Sequence, residues 1–378
     1  MTLNRLNSNF NKCFTILFFT ILINSTLHAI GSDTTRHRKK TADTTAVAKS
    51  YTKMPKGYYI PKFSATVLGR YEFNTNTNQH HFELRHTRIG VSGNVHPMFS
   101  YMALVDLTYG GNFSPVAIFA DFKPVKGLSV LIGYDKMPFS NENLLSPYMY
   151  YFSDKSFLTQ KISGWSDVGC IVSYRWDKVL PFEIKAGVFN SDGFSNQGKF
   201  QKSLNYVVRG TFYLFDGFDL TFNYAAVKPE AVRTHNLDFG LRYQYKGFHI
   251  ESEYIYRRYK PDATITGTDG TEVVFPDLKN THALECFAYY AFAINKPWLD
   301  NVALSLRYDA ISPTTKENMI DNKYIVDPTR QRITAGISMI FVEKPLRAGI
   351  RLNYEKNFMH SEVPCDQDRI ILEFTLHY

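Results

Sequence analysis

From Tyr58 onward, apolar and polar residues alternate with a period of two. In "GFDLTFNYAAV", Phe218, Leu220, Phe222, Tyr224 and Ala226 share one face, while Asp219, Thr221, Asn223 and Ala225 share the other. "NLDFGLRYQYKG" sets Leu237, Phe239, Leu241, Tyr243 and Tyr245 against Asp238, Arg242, Gln244 and Lys246. A helix would group its apolar residues three or four apart, so these runs predict strands. Sixteen such segments can be marked off, at 59–73, 81–93, 98–109, 114–123, 127–137, 167–177, 181–189, 204–215, 217–227, 235–246, 247–259, 281–294, 301–310, 331–342, 346–356 and 368–378. Many are near the ~9–11 residues that a tilted strand needs to cross the hydrocarbon layer.

The connections alternate too. Short ones, "PVKG", "DKVLP", "FDG", "KG" and "VEKP", take turns with long ones such as Pro138–Ser166, Asn190–Ser203, Lys260–Asn280 and Ile311–Arg330. Short periplasmic turns and long external loops are the habit of an outer-membrane barrel, whereas a soluble sandwich has no reason for them. With the amino end inside, every long loop falls outside, and an even strand count returns Tyr378 to the inner rim.

Cost decides which face meets lipid. A Lys or Arg facing mid-membrane lipid costs roughly 2–4 kcal/mol, which is prohibitive for Arg175, Arg209, Arg242, Arg257, Arg307, Arg332, Arg347, Arg351 and Arg369 together. The opposite phase turns all nine inward, leaves Val, Leu, Ile, Phe and Tyr outward, and calls for a wet lumen. The closing segment "DRIILEFTLHY" then sends Ile370, Leu372, Phe374, Leu376 and Tyr378 to lipid, with Arg369, Glu373, Thr375 and His377 inside. Trp165, Trp176 and Trp298 are expected at the membrane interfaces.

Composition sharpens this reading. Aromatics make up 15% of the chain, with 25 Tyr and 30 Phe, and Tyr favours boundaries because one end is apolar and the other seeks a hydrogen bond. A mean hydropathy of -0.25 excludes a bundle of membrane helices but not a barrel, whose strands are half polar. Residues 1–29 read as an export signal: Arg5 and Lys12 precede the apolar "CFTILFFTILI", and "LHA" offers cleavage after Ala29. Its eleven residues fall short of the roughly 20 that span a bilayer as a helix.

The formal charge of +8 is unevenly placed. Residues 30–57 hold seven Lys/Arg against Asp33 and Asp43, which leaves 34 basic and 33 acidic residues from Tyr58 onward. The excess belongs to a polar basic tail, read as a periplasmic linker, and gives no argument for nucleic acid. Cys13 goes with the signal, and Cys170, Cys286 and Cys365 are too scattered for a disulfide framework.

The stretch Phe82–Pro147 carries "LRHTRIGVSGNV" and "DFKPVKGLSVLIGYDKMPFS"; with the aromatic carboxy end, it resembles the phosphate-selective porin O and P family. The resemblance implies a 16-stranded, usually trimeric porin whose third outer loop, here Pro138–Ser166, folds into the channel. It also implies basic residues at the constriction, and a last strand ending in Tyr378 that the barrel-assembly machinery recognises. Where such porins often carry paired arginines entering the second strand, this chain has Arg85, His86 and then Arg88.

Phe82 and Leu84 share one face but Ile89 and Val91 the other, so a β-bulge near Thr87 is expected to turn Arg85 and Arg88 inward. With Lys136 these are the leading selectivity candidates. Arg70, Lys123, Arg175, Arg209 and Arg242 complete the pore-lining set. Inward acids are as plentiful, among them Glu72, Asp106, Asp121, Asp219, Asp238, Glu253, Asp309 and Glu373. Cross-strand pairing and an anion filter therefore both remain open.

Other motifs carry less. "GFSNQGKF" has Phe200 where a phosphate-binding loop needs Ser or Thr, and "GWSDVG" has Val168 where a nucleophile elbow needs its second glycine. His80–His81 and Asp366 with Asp368 are weak metal candidates. No catalytic set, resident metal or cofactor is expected. The reading is an all-β, transmembrane porin passing small hydrophilic solutes, with lipid as its surroundings; an anion- or phosphate-selective porin, a barrel enzyme and a plugged surface-binding barrel are the rivals.

Overall fold

The computed structural model describes residues 58–378, apart from 109–112, 192, 202, 229–232, 260–263, 267–271, 275–278, 319–322, 344–345 and 360–366. The expected signal (1–29), the basic tail (30–57), Cys365 and Asp366 therefore lie outside the described residues. Sixteen strands close a barrel, each antiparallel to both neighbours and in chain order around the wall. Counting barrel strands only, they are β1 (Lys62–Asn74), β2 (Gln79–His96), β3 (Phe99–Asp106), β4 (Ser114–Phe122), β5 (Leu128–Lys136), β6 (Ser166–Trp176), β7 (Phe182–Phe189), β8 (Asn205–Phe215), β9 (Phe218–Val227), β10 (Thr234–Tyr245), β11 (Phe248–Tyr259), β12 (Thr281–Lys296), β13 (Leu299–Ile311), β14 (Arg330–Val342), β15 (Arg347–Met359) and β16 (Arg369–His377).

The period-two pattern fixes the phase of this wall. Along β10, Asn236 and Asp238 are buried while Leu237 and Phe239 are 55% and 40% exposed. An apolar side chain that is bare to water on this face is one that lipid covers. Closure comes from β16 against β1, where Arg70 stands opposite Glu373, so the terminal strand seals the cylinder and leaves no edge. The inner turns are tight: Lys246 (φ 42°) and Gly247 (φ 83°) form a two-residue turn between β10 and β11, the left-handed pair that suits strand twist.

Three expectations need correction. The β-bulge sits at Arg85, not at Thr87: Leu68 pairs with His86 and Gly69 with Leu84, so Arg85 is the extra residue and pairing through Thr87 is regular. The effect is the expected one, because Leu84 is 62% exposed on the outer face while Arg85 reaches inward to Asp154.

The lumen is also not wet throughout. Inward-facing Phe189, Val207, Ala225, Val227, Ile255, Ala283 and Ile311 pack with Met137, Phe139, Phe157, Leu158 and Ile162 of the β5–β6 connection into one apolar core. Trp165 packs against that core and lies 5.2 Å from the Phe139 ring, so it serves the loop and not the membrane interface.

Candidate functional site

Leaving β5, the chain enters a 29-residue connection (137–165) whose backbone finds its partners on the inner face of the wall. A buried backbone group left unpaired is costly, so each contact helps fix the path. The first anchors are carboxylates. Ser140 N–H donates to Asp238 at 3.3 Å and Asn141 N–H to both oxygens of Glu253 at 3.1 Å, while Arg209 reaches Asn141 Oδ1. Ser140 takes φ 65°, a conformation that costs a side-chain-bearing residue of order 1–3 kcal/mol and persists only where surroundings impose it.

Further along, the partners reverse in sign. Four consecutive carbonyls each accept from a different arginine: Phe152 from Arg351, Ser153 from Arg85, Asp154 from Arg307 at 2.9 Å and Lys155 from Arg332 at 2.7 Å. Between them Ser153 N–H donates to Asn353 Oδ1 at 2.7 Å, and Phe157 N–H to Asp309 at 2.8 Å. Arg307 and Arg332 also lie over the Phe152 and Phe157 rings, each 4.5 Å from the centroid, where planar guanidinium and aromatic face attract.

Asp154 is the hub. Its carboxylate meets Arg85 at 2.5 Å, Arg369 at 2.6 Å and Arg70 at 2.8 Å. Burial would push this carboxyl up, but Arg85, Arg369 and Arg70 hold it well below the usual carboxylate range. Arg332 binds Asp309 and Glu355 at 3.0–3.1 Å beside it, with all three side chains no more than 2% exposed. Such buried pairs only offset their desolvation when every donor is used, and here the loop carbonyls take the remainder.

The eight candidate cations all have partners. Arg70 binds Glu72, Glu83 and Asp154 at 2.7–2.8 Å, and Arg88 binds Asp106 at 2.9 Å. Lys123 pairs with Asp121 at 2.9 Å, Arg175 with Asp177 at 2.7 Å, and Arg242 with Asp219 at 2.9 Å. Arg85 and Arg209 hold the loop as described, and Lys136 donates to Leu145 O. Arg175 and Lys123, about half exposed near the short turns, are separate from the loop's anchor points.

Of the three leading candidates, Arg88 lies within electrostatic reach of Lys136, and a fourth cation that the sequence reading missed, Lys155, lies within reach of Arg85, Arg88 and Lys136. Acids lie among them: Glu142 beside Lys155, Asp135 beside Lys136, Asp154 on Arg85 and Asp106 on Arg88. Lys155 makes no ion pair among the described residues, and its ammonium lies 5.6 Å from the Tyr150 ring centre. Burial lowers its pKa; Glu142 opposes that shift, while Arg85 and Arg88 add to it. Nothing in "SDKS" marks this lysine from any other polar loop residue.

Metal candidates separate likewise. His80 stacks on Phe73 and bonds Tyr71, whereas His81 joins Glu72 and Glu83 in a group whose ligand atoms lie within 4.8 Å. Both carboxylates already bind Arg70, so a cation would have to displace an arginine. Asp368 is bound by Lys356 and by Asn357 N–H. "GFSNQGKF" forms one short 3-10 turn at Phe194–Asn196 and leads into β8, without the helix a phosphate-binding loop requires.

Residues 67–245 match the family described as phosphate-selective porin O and P, a span that runs from β1 through β10. No curated protein matches the chain in sequence. Among solved structures, OmpF of Salmonella typhi aligns with a TM-score of 0.57 at 15% identity, over 86% of this chain and 99% of that one. A trimer form of OmpT, an outer membrane protein of Vibrio cholerae, gives 0.55 at 11%, over 84% and 99%. An anion-selective porin from Comamonas acidovorans gives 0.55 at 10%, over 84% and 98%. At these identities the likeness is one of fold. Taken with the family match over residues 67–245, it makes the protein a porin of the bacterial outer membrane.

Proposed function

We propose that this porin passes small hydrophilic solutes by passive diffusion, with a bias toward anions set beside the 137–165 segment. A barrel of sixteen strands leaves an aqueous channel unless something narrows it. The observation that carries the bias is the grouping of Lys155, which has no ion pair among the described residues, with Arg85, Arg88 and Lys136. Fixed cations in a narrow, low-dielectric passage raise the local concentration of anions. Because Arg85 and Arg88 already hold carboxylates, the reading favours a modest bias over a phosphate-specific filter. The Comamonas porin, described as anion-selective, is consistent with such a bias on this fold.

Reversal potential in asymmetric KCl tests this directly. Chloride should permeate faster than potassium, and Lys155→Gln should reduce the preference; a non-selective or cation-selective wild type would overturn the bias. Replacing Arg85, Arg88 and Lys136 by Gln together should lower it further. A plugged, surface-binding barrel is the second reading, favoured by the complete burial of Arg307, Asp309 and Phe157 around the loop. Conductance near zero would select it.

On the same proposal the chain works as a homotrimer, in keeping with the trimer form described for the Vibrio cholerae protein, and matures by removal of residues 1–29. Unheated gel mobility and the mass of the mature amino terminus check those two points.

A further inference from the structure

On the side of the short turns, beyond the loop, the lumen opens again into a cavity of about 800 Å³. It adjoins the Arg85–Lys155 group through Leu145 and Tyr150, but its lining has a different chemistry. Four cations, Arg242, Lys246, Arg347 and Arg351, face it with one carboxylate, Glu343. Two of the four are engaged: Arg242 binds Asp219, and Arg351 donates to Phe152 O beside Glu373. Arg347 makes no ion pair among the described residues. It stands opposite His377 in the β15–β16 ladder and acts electrostatically on the Tyr289 phenol.

The rest of the lining is aromatic and held in place. Tyr151 stacks on His249 (centroids 4.5 Å apart, planes at 24°) and meets Tyr289 nearly edge-on at 4.9 Å. Across the cavity Tyr148 stacks on His377 at 3.7 Å, with planes 9° apart. Rings packed this way keep a fixed orientation, so a ligand meeting them loses little freedom that the protein has not already given up.

Inorganic phosphate suits this space poorly. A small, strongly hydrated anion gains nothing from ring faces, and it needs several converging donors where, among the described residues, only Arg347 and the turn lysine Lys246, which lies over the Tyr245 ring, are outside ion pairs. The volume falls within the roughly 300–1,000 Å³ of small-molecule pockets. A solute with one carboxylate and one flat apolar face would use both kinds of wall: bidentate contact with a guanidinium and stacking against tyrosine.

We propose that this inner vestibule is a binding site for flat organic anions of the aryl carboxylate class, with Arg347 taking the carboxylate and Tyr151 and Tyr289 the ring. Its place in a transport route rests on the porin reading, but the binding itself does not.

The intact protein in detergent is titrated calorimetrically with 4-hydroxybenzoate, with orthophosphate as the control. Saturable binding of the benzoate and none of phosphate at equal concentration is expected. Arg347→Gln should weaken it about tenfold, the loss of one charge-assisted bidentate contact, and Tyr289→Leu should weaken it while leaving chloride preference unchanged. Heat-modifiable gel mobility confirms that each variant is folded. In bilayers, benzoate added on the short-turn side should reduce chloride current more than benzoate on the loop side. No benzoate binding to a conducting protein would overturn the site and leave the porin reading standing. Binding without any conductance would keep the site and sink the porin reading. Equal binding of benzoate and phosphate, or undiminished binding by Arg347→Gln, would overturn the assignment.

Discussion

The loop 137–165 is gripped from two walls by opposite chemistry. On the β10–β11 side, carboxylates of Asp238 and Glu253 accept from the N–H groups of Ser140 and Asn141. On the β13–β15 side and at β2, arginines donate to the carbonyls of residues 152–155. The peptide unit supplies both partners, so one stretch of backbone can be held by acid at one end and base at the other. The two grips differ in redundancy. Arginine spreads five donors and can satisfy a carbonyl and a carboxylate together, as Arg332 does with Lys155 O, Asp309 and Glu355. Glu253 accepts from Asn141 N–H and shares a hydrogen bond with a second carboxyl group, Asp238, so it brings two oxygens where an arginine brings five donors.

That asymmetry gives a ranked set of expected outcomes. Arg332→Gln should do the most damage, because it removes the shared cation between Asp309 and Glu355 in a dry interior and leaves Arg307 and Arg369 to hold them; breaking a buried pair costs about 3–5 kcal/mol. Denaturant unfolding of the reconstituted barrel should show it, together with larger and noisier unit conductance as the loop loosens. Asp154→Asn comes next, at about 2–3 kcal/mol from weakened charge-assisted bonds to three arginines, read by the same unfolding curve. If it instead matched the wild type, the hub would be ornamental.

Acid sharpens the same test. Asp154 titrates below its ordinary value, so its stabilisation is complete above the unfolded pKa of ~3.9 and disappears only as pH falls through the lower folded value. The stability gap between wild type and Asp154→Asn should therefore hold steady from pH 8 to 5 and narrow only in stronger acid; a gap that closes by pH 5 contradicts the three-arginine clamp. The smallest effect belongs to the acid wall. Glu253→Gln keeps an acceptor for Asn141 N–H and supplies an amide donor for Asp238, so stability should stay within about 1 kcal/mol of wild type, with gating unchanged in single-channel records.

Much of the wall was legible in sequence because each strand separates two solvents. Asp238 between Leu237 and Phe239 has one tolerable phase, and a slip of one residue would put the charge in lipid. The closing strand, with Leu376 58% exposed outside and Glu373 buried inside, was legible for the same reason. The loop was not, since its residues obey no period. Ser140, Asp154 and Lys155 take their roles from side chains 98, 215 and 177 positions away, Asp238, Arg369 and Arg332, and composition does not encode such meetings. The inner apolar core was hidden too: Ile255 and Val207 occupy the inward phase, where only the loop explains them. The bulge was foreseen from the switch of face between Leu84 and Ile89, but that switch constrains a stretch and not one residue, which is why Arg85 and not Thr87 proved to be the extra position.

The four-carbonyl clasp also bears on how the cylinder is finished. Its donors come from the second, thirteenth, fourteenth and fifteenth strands, so a wall stopped at the twelfth would offer the Phe152–Lys155 stretch one arginine in place of four. The Phe152–Lys155 stretch therefore latches only late in assembly, and a half-built barrel holds its inner segment by the Ser140–Asn141 end alone until its far staves arrive.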